Sequence, residues 1–237
     1  MIRPIALIIA LSTVSVCWGN TAASGLGGIA LGYATNVAQN ATSQVGVQQR
    51  PGGSTSTISY RNSMRAFGPS IEVFAGYQWP LNTHWHVALG EAFWHAGFQS
   101  NGTASSSILP SSYGYHYNID AMALKTFLQL TYQWQNWAVS ASINGGVSIL
   151  DSTGYTNNVS NVSEQFNHHL ASHFAYGAQL GISRFLNQTT RIGLSVAYED
   201  LGKASLGARQ QSFGSSSNTI MQPLRVIDIS LGITHYF

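Results

Sequence analysis

The stretch Leu224-Arg225-Val226-Ile227-Asp228-Ile229-Ser230-Leu231-Gly232-Ile233-Thr234-His235-Tyr236-Phe237 decides the fold. From Ile227 on, every second residue is apolar or aromatic apart from His235: Ile227, Ile229, Leu231, Ile233, Phe237. Asp228, Ser230, Gly232, Thr234 and Tyr236 alternate with them. Period two means a strand with one apolar face and one polar face. A half-apolar strand ending on a bare Phe is unusual in a soluble domain. It is expected where a last strand closes a sheet.

The composition of the whole chain agrees with that strand. Among 237 residues only 8% are Asp, Glu, Lys or Arg, against roughly 25% in soluble domains. Mean hydropathy is nevertheless only +0.03. The polarity resides in Ser, Thr, Asn, Gln and Gly. Avoiding charge while keeping neutral polar residues suits strands with one face in lipid. A net charge of +2 is too small to imply a nucleic-acid partner.

The N-terminus reads as an export signal. Met1-Ile2-Arg3 is a short positive segment, Pro4 to Val16 is largely apolar, and small residues follow around Gly19 and Ala23. This pattern predicts a signal peptide over residues 1–23, cleaved after Gly19 or Ala23. The single cysteine, Cys17, leaves with it, so no disulfide is expected in residues 24–237. No other run reaches about 18 apolar residues, so no transmembrane helix is expected. Two readings remain, a secreted all-β protein and a closed transmembrane barrel, the β structure that satisfies its backbone in lipid.

Eight strands are legible, each near the ten or so residues that cross a bilayer at a tilt. They lie near 28–37, 66–79, 84–98, 119–135, 137–150, 174–185, 191–201 and 224–237. In most, one face is plainly apolar, as with Met122, Leu124, Leu128, Leu130, Tyr132 and Trp134 against Ala123, Lys125, Phe127, Gln129, Thr131 and Gln133. The third strand conflicts with itself. Trp85, Val87 and Leu89 define an apolar face, but Glu91 and His95 share it. An acid facing lipid is disfavoured, so Glu91 is expected inward, with Ala88, Ala92, Trp94 and Phe98 outward.

Connection lengths alternate. Short turns fall at 80–83, 135–136 and 186–190, and long polar segments at about 38–65, 99–118, 151–173 and 202–222. Short periplasmic turns and long outer loops are the pattern of outer-membrane barrels. Aromatics gather at strand ends. Tyr77, Trp79, Trp85, Tyr132, Trp134, Trp137, Phe185, Tyr236 and Phe237 are expected at the periplasmic interface. Phe67, Trp94, Phe98, Tyr113, Tyr115, Tyr117, Phe174 and Tyr198 are expected at the outer one.

On these features the chain resembles the small eight-stranded outer-membrane barrels: the OmpA transmembrane domain, OmpX and the opacity-type surface antigens. The resemblance covers everything after the leader. It implies an all-β fold, an eight-stranded antiparallel up-and-down transmembrane barrel in the outer membrane of a Gram-negative bacterium, monomeric. It further implies that Ile229, Leu231, Ile233 and Phe237 form the signal read by the barrel assembly machinery. His235 departs from that signal, standing where Tyr or Phe is usual.

A barrel of eight strands is just wide enough for side chains to fill. The ionisable residues expected inside are Glu72, Glu91, Lys125, Glu199 and Asp228. Buried charges must be paired, so Lys125 is expected to bridge two or more acids in a polar plug, or alternatively to line a narrow gated conduit. At the outer end, Asp151-Ser152 and His168, His169 and His173 could make a Ser-His-acid set acting on lipid or a metal site. His84 and His86 are expected at the periplasmic rim. Arg50, Arg61, Arg65, Arg209 and Arg225 could meet lipopolysaccharide phosphates. The expectation is a surface or structural role in adhesion, host contact or envelope integrity, with no catalysis, metal or cofactor. The expected partners are outer-membrane lipid, lipopolysaccharide, the assembly machinery and a host surface ligand. A narrow porin-like channel for small solutes is the first alternative and a lipid-modifying enzyme the second.

Overall fold

The computed structural model describes residues 23–38, 45–49, 55–61, 67–106, 112–157, 163–165, 168–206 and 220–237. Apart from Ala23, the expected leader lies outside the described residues. Eleven strands follow in order: β1 Ser24–Asn36, β2 Val45–Gln49, β3 Thr55–Arg61, β4 Phe67–Pro80, β5 Trp85–Ser106 and β6 Ser112–Trp134; then β7 Trp137–Asn157, β8 Ser163–Gln165, β9 His169–Phe185, β10 Thr190–Leu206 and β11 Ile220–Tyr236. No helix occurs among the described residues.

Eight of these strands form a closed antiparallel ring, β1-β4-β5-β6-β7-β9-β10-β11 and back to β1. The closing seam runs from Leu26 opposite Tyr236 to Asn36 opposite Val226. Two more backbone bonds lock its end: Gly25 N–H donates to the Phe237 carbonyl at 2.9 Å, and Phe237 N–H to the Gly25 carbonyl at 3.0 Å. Closure leaves no strand edge around the ring, which a β structure in lipid requires.

The outer wall is apolar. Leu31, Leu124, Ile143, Val147, Leu180, Leu194, Ile229 and Leu231 all point out of the ring and are exposed. In water this continuous patch would drive aggregation; in a bilayer it is the lipid contact. Facing therefore follows the alternation in β1, β4, β6, β7, β9, β10 and β11, because one side of each strand meets hydrocarbon.

β5 is the exception to the sequence reading. Ala88, Ala92, Trp94, Ala96 and Phe98 are all buried inside, whereas Trp85, Leu89 and Glu91 are exposed. Glu91 thus faces outward, beside Ala75 on β4 and Thr126 on β6. A strand must keep one register along its length. The large Trp94 and Phe98 find cover inside that a single acid cannot outweigh.

The short connections lie at one end, the periplasmic one by the loop-length rule. The Asn82 side-chain oxygen accepts from the backbone N–H of His84 and Trp85, both at 2.9 Å. Asn187 does the same for Thr189 and Thr190 at 2.9 and 2.7 Å. These are Asx turns, in which the side chain replaces a backbone acceptor. Gln135 closes the two-residue turn with φ 50°.

At the other end much of what reads as loop is strand. β5, β6 and β7 run on as a polar ladder, with Gln99 opposite Asn118 and Ser105 opposite Ser112. The β2–β3 hairpin adds to the outer end of β5, and β8 to that of β7. Polar residues lose the apolar rhythm that marks a strand, but neighbours already in register extend a ladder at low entropic cost. A bulge between Asp200 and Lys203 shifts the β10–β11 register, which then continues from Lys203 opposite Pro223 to Leu206 opposite Ile220. Gly202 sits in the bulge at φ 89°, a left-handed conformation natural to glycine.

Candidate functional site in the barrel lumen

The inward side chains stack in three layers. The middle layer is charged. Lys125 of β6 donates to Glu72 of β4 at 3.0 Å and to Glu199 of β10 at 2.8 Å. Asn144 of β7 donates to the same Glu199 oxygen at 2.9 Å. Lys125 and Glu199 are almost fully enclosed, with side chains 2% exposed, while Glu72 keeps 18%. Gly177 on β9 makes room for this group, since a Cβ there would collide with Glu199 Oε2.

Asp228 of β11 makes a second node. It accepts from Trp94 Nε1 at 2.7 Å and from Ser70 Oγ at 2.9 Å. The Trp94 ring lies between the two nodes, its centroid 6.0 Å from Lys125 Nζ. Four of the five ionisable residues expected inside therefore share this layer: Glu72, Lys125, Glu199 and Asp228. Glu91 does not. Asp228 joins the layer through Trp94, which donates to it and turns its ring toward Lys125.

Above the charges, toward the outer end, the lumen is filled mainly by apolar side chains. Trp94, Phe98, Tyr117, Ile119, Leu150, Leu201, Leu224 and Val226 pack there, none more than 2% exposed. Trp94, Phe98 and Tyr117 were expected in the outer aromatic girdle. They belong to this plug instead, while Phe67, Phe174 and Tyr198 stay on the outer wall. The side chains of Tyr113 and Tyr115 lie outside the described residues.

Below the charges the lumen is open. A cavity of about 90 Å³ is lined by Gln129, Ser140, Gln179, Ser195, Arg191 and Thr234, among others, space for several waters. Gln179 donates to Ser195 at 3.0 Å, and Ser195 and Ser230 hydroxyls meet at 2.8 Å. At the mouth, the Arg191 guanidinium lies 5.2 Å from the Tyr236 ring centroid, and Tyr236 stacks on Phe185 at 6.2 Å. Tyr236 thus turns inward and carries Arg191. The outer-wall part of the lower girdle is formed by pairs such as Trp85–Tyr132 at 4.9 Å and Tyr77–Trp79 at 6.4 Å.

The Ser-His-acid set does not assemble. Asp151 pairs with His168 at 2.5 Å on the outer wall. Ser152 is fully buried in the lumen. His169 instead meets Ser205 at 2.8 Å, and His173 meets the Lys203 carbonyl at 2.7 Å. Among the described residues no three His, Cys, Asp or Glu side chains converge to hold a metal ion. His84 is exposed at the rim, but His86 turns inward. Arg225 pairs with Asp200 at 3.1 Å on the outer wall. Arg50, Arg65 and Arg209 lie outside the described residues, as does the Arg61 side chain. The sequence reading did not single out Ser70, Asn144, Arg191 or the plug. The one available signal was the run of small residues Ala88, Gly90, Ala92 and Ala96 on one face of β5, which suits a narrow interior.

A closed ladder, an apolar exterior and a paired, filled interior define the class: the chain is an eight-stranded integral β-barrel of the outer membrane. No protein-family model and no curated protein sequence matches it. Among solved structures it is similar to Neisserial surface protein A, at 12% identity and TM-score 0.42 over 91% of this chain and 99% of that one. It is similar also to the outer membrane protease OmpT from Escherichia coli, at 10% and 0.48 over 90% and 97%. A third is the outer membrane protein OprG from Pseudomonas aeruginosa, at 13% and 0.48 over 92% and 98%. Similarity at this level says nothing of role, and the class stands on the geometry.

Proposed function

We propose that this barrel works at its outer surface, in adhesion, host contact or envelope integrity, with the lumen as a structural plug. One observation carries the reading: the outer half of the lumen is packed shut by Trp94, Phe98, Tyr117 and their neighbours, while β5, β6 and β7 continue beyond the apolar belt as a polar ladder. At roughly 3.3 Å per residue, such extensions raise a sheet well clear of the lipid, where outer-membrane barrels carry their variable contacts. Lipopolysaccharide and the barrel assembly machinery are the partners this reading adds, the latter through the exposed Ile229, Leu231, Ile233 and Phe237.

The test compares cells displaying the full chain with cells displaying a form whose 45–61 hairpin and 101–115 tip are replaced by short turns. Both forms should show the heat-modifiable gel mobility of a folded barrel. Adherence to host cells or immobilised matrix, or envelope resistance to detergent, should fall only in the trimmed form. Equal adherence and equal detergent resistance in the two would sink the proposal.

The open lower cavity favours a second reading, a narrow channel. Single-channel recording in planar bilayers decides it. The plug predicts near-zero conductance for the native chain and for Lys125→Met alike. A lipid-modifying activity would appear as altered lipid A masses in cells carrying the protein, and the dispersed Ser152, His168 and His169 predict none.

A further inference from the structure

Among the described residues, Arg191 is a lumen cation that the charged layer does not use. It is buried, 6% exposed, and lines the lower cavity. Among the described residues no carboxylate pairs with it, and its recorded contact is the Tyr236 ring. A guanidinium has five N–H donors and no acceptor, and a buried charge requires a partner. Tyr236 OH and His86 Nδ1 are buried with no hydrogen-bond partner, and His86 lies within electrostatic reach of Arg191. Ser183 and Thr234 bring hydroxyls to the same cavity. The acid that lines it, Glu72, is already tied to Lys125 at the upper end.

We propose that the periplasmic half of the lumen is a binding site for a small oxyanion, a phosphate or short carboxylate, with Arg191 as its charge partner. Hydroxyls of Thr234, Ser183, Ser140 and Ser195 line the same cavity. The planar guanidinium fork suits two oxygens of one anion. A cavity of about 90 Å³ takes such an anion in exchange for a few waters. The plug blocks the outer side, so the ligand enters from the periplasm.

The test uses the full chain refolded in neutral detergent, titrated calorimetrically with inorganic phosphate and, separately, with acetate. Saturable one-to-one binding of at least one anion is expected, weakened about tenfold or more by Arg191→Gln. Arg184→Gln serves as the control, because Arg184 sits on the outer wall over Trp137; it should leave the affinity unchanged. Absence of saturable binding of both anions at millimolar concentrations would overturn the site, as would an equal loss in Arg184→Gln. Should Arg191→Gln fail to yield the heat-modifiable folded form, Ser183→Ala and Thr234→Val, both at the cavity wall, carry the test. A severalfold weakening is expected in each, and unchanged affinity in both would overturn the proposal.

Discussion

Lys125 holds two carboxylates at once, from strands that are not its neighbours in the ring. Removing it leaves Glu72 and Glu199 facing each other without a counter-charge. Breaking a buried pair by deleting one partner costs about 3–5 kcal/mol. Lys125→Met should therefore lower the urea midpoint of the vesicle-refolded barrel, and adding Glu199→Gln should restore part of the loss. An unchanged midpoint would show that these ion pairs contribute nothing to the fold. Glu91 is the opposite case, an acid on the lipid wall with only Ala75 and Thr126 beside it in register. Acids on that face destabilise less than bases do, so Glu91→Leu should raise stability by about 1 kcal/mol. A lower midpoint in the same assay would mean that the carboxylate has a use on that wall.

Most elements were legible in the sequence because lipid lies against one face of each strand, and alternation records that directly. β11 is the clearest, and its facing matches the reading residue for residue. β5 was not legible, because Glu91 and His95 interrupt its lipid face while the buried residues Ala88, Ala92, Trp94, Ala96 and Phe98 are themselves apolar. Nor was the continuation of β5, β6 and β7, whose outer ladders rest on pairing without an apolar rhythm. The partnership of Lys125 with Glu72 and Glu199 was legible only as a need for acids. Which acids meet it depends on the stagger between strands, and no single strand encodes that. The exposed end of β11 carries the element-level prediction. Deleting Phe237, which also locks Gly25 across the seam, should lower the yield of assembled barrel, whereas His235→Tyr should keep or raise it. Folded, heat-modifiable band intensity in isolated outer membranes measures both. Normal assembly without Phe237 would remove the role proposed for the exposed face.

Taken whole, the molecule is a barrel whose two halves differ in how they are filled. The outer half was not legible in the sequence, because inward apolar residues such as Phe98 and Leu150 run against the polar-in, apolar-out rule. If the plug is what seals the lumen, thinning it should open a path. Trp94→Ala with Phe98→Ala should bring measurable single-channel currents where the native chain has none. It should also cost stability, since each aromatic-to-alanine change in a core typically costs about 3–5 kcal/mol. A folded double variant that stays electrically silent would place the seal elsewhere. The seam between β1 and β11 has a consequence in time. Leu26 meets Tyr236, so the ring joins stretches from opposite ends of the described chain. Until β11 arrives, β1 and β10 each present a bare ladder, able to recruit any other extended polypeptide. Folding is therefore exposed to error up to its last step and protected from it afterwards. Among the described residues the closed ring presents no such ladder around the barrel wall, so a neighbouring copy finds no strand there to exchange.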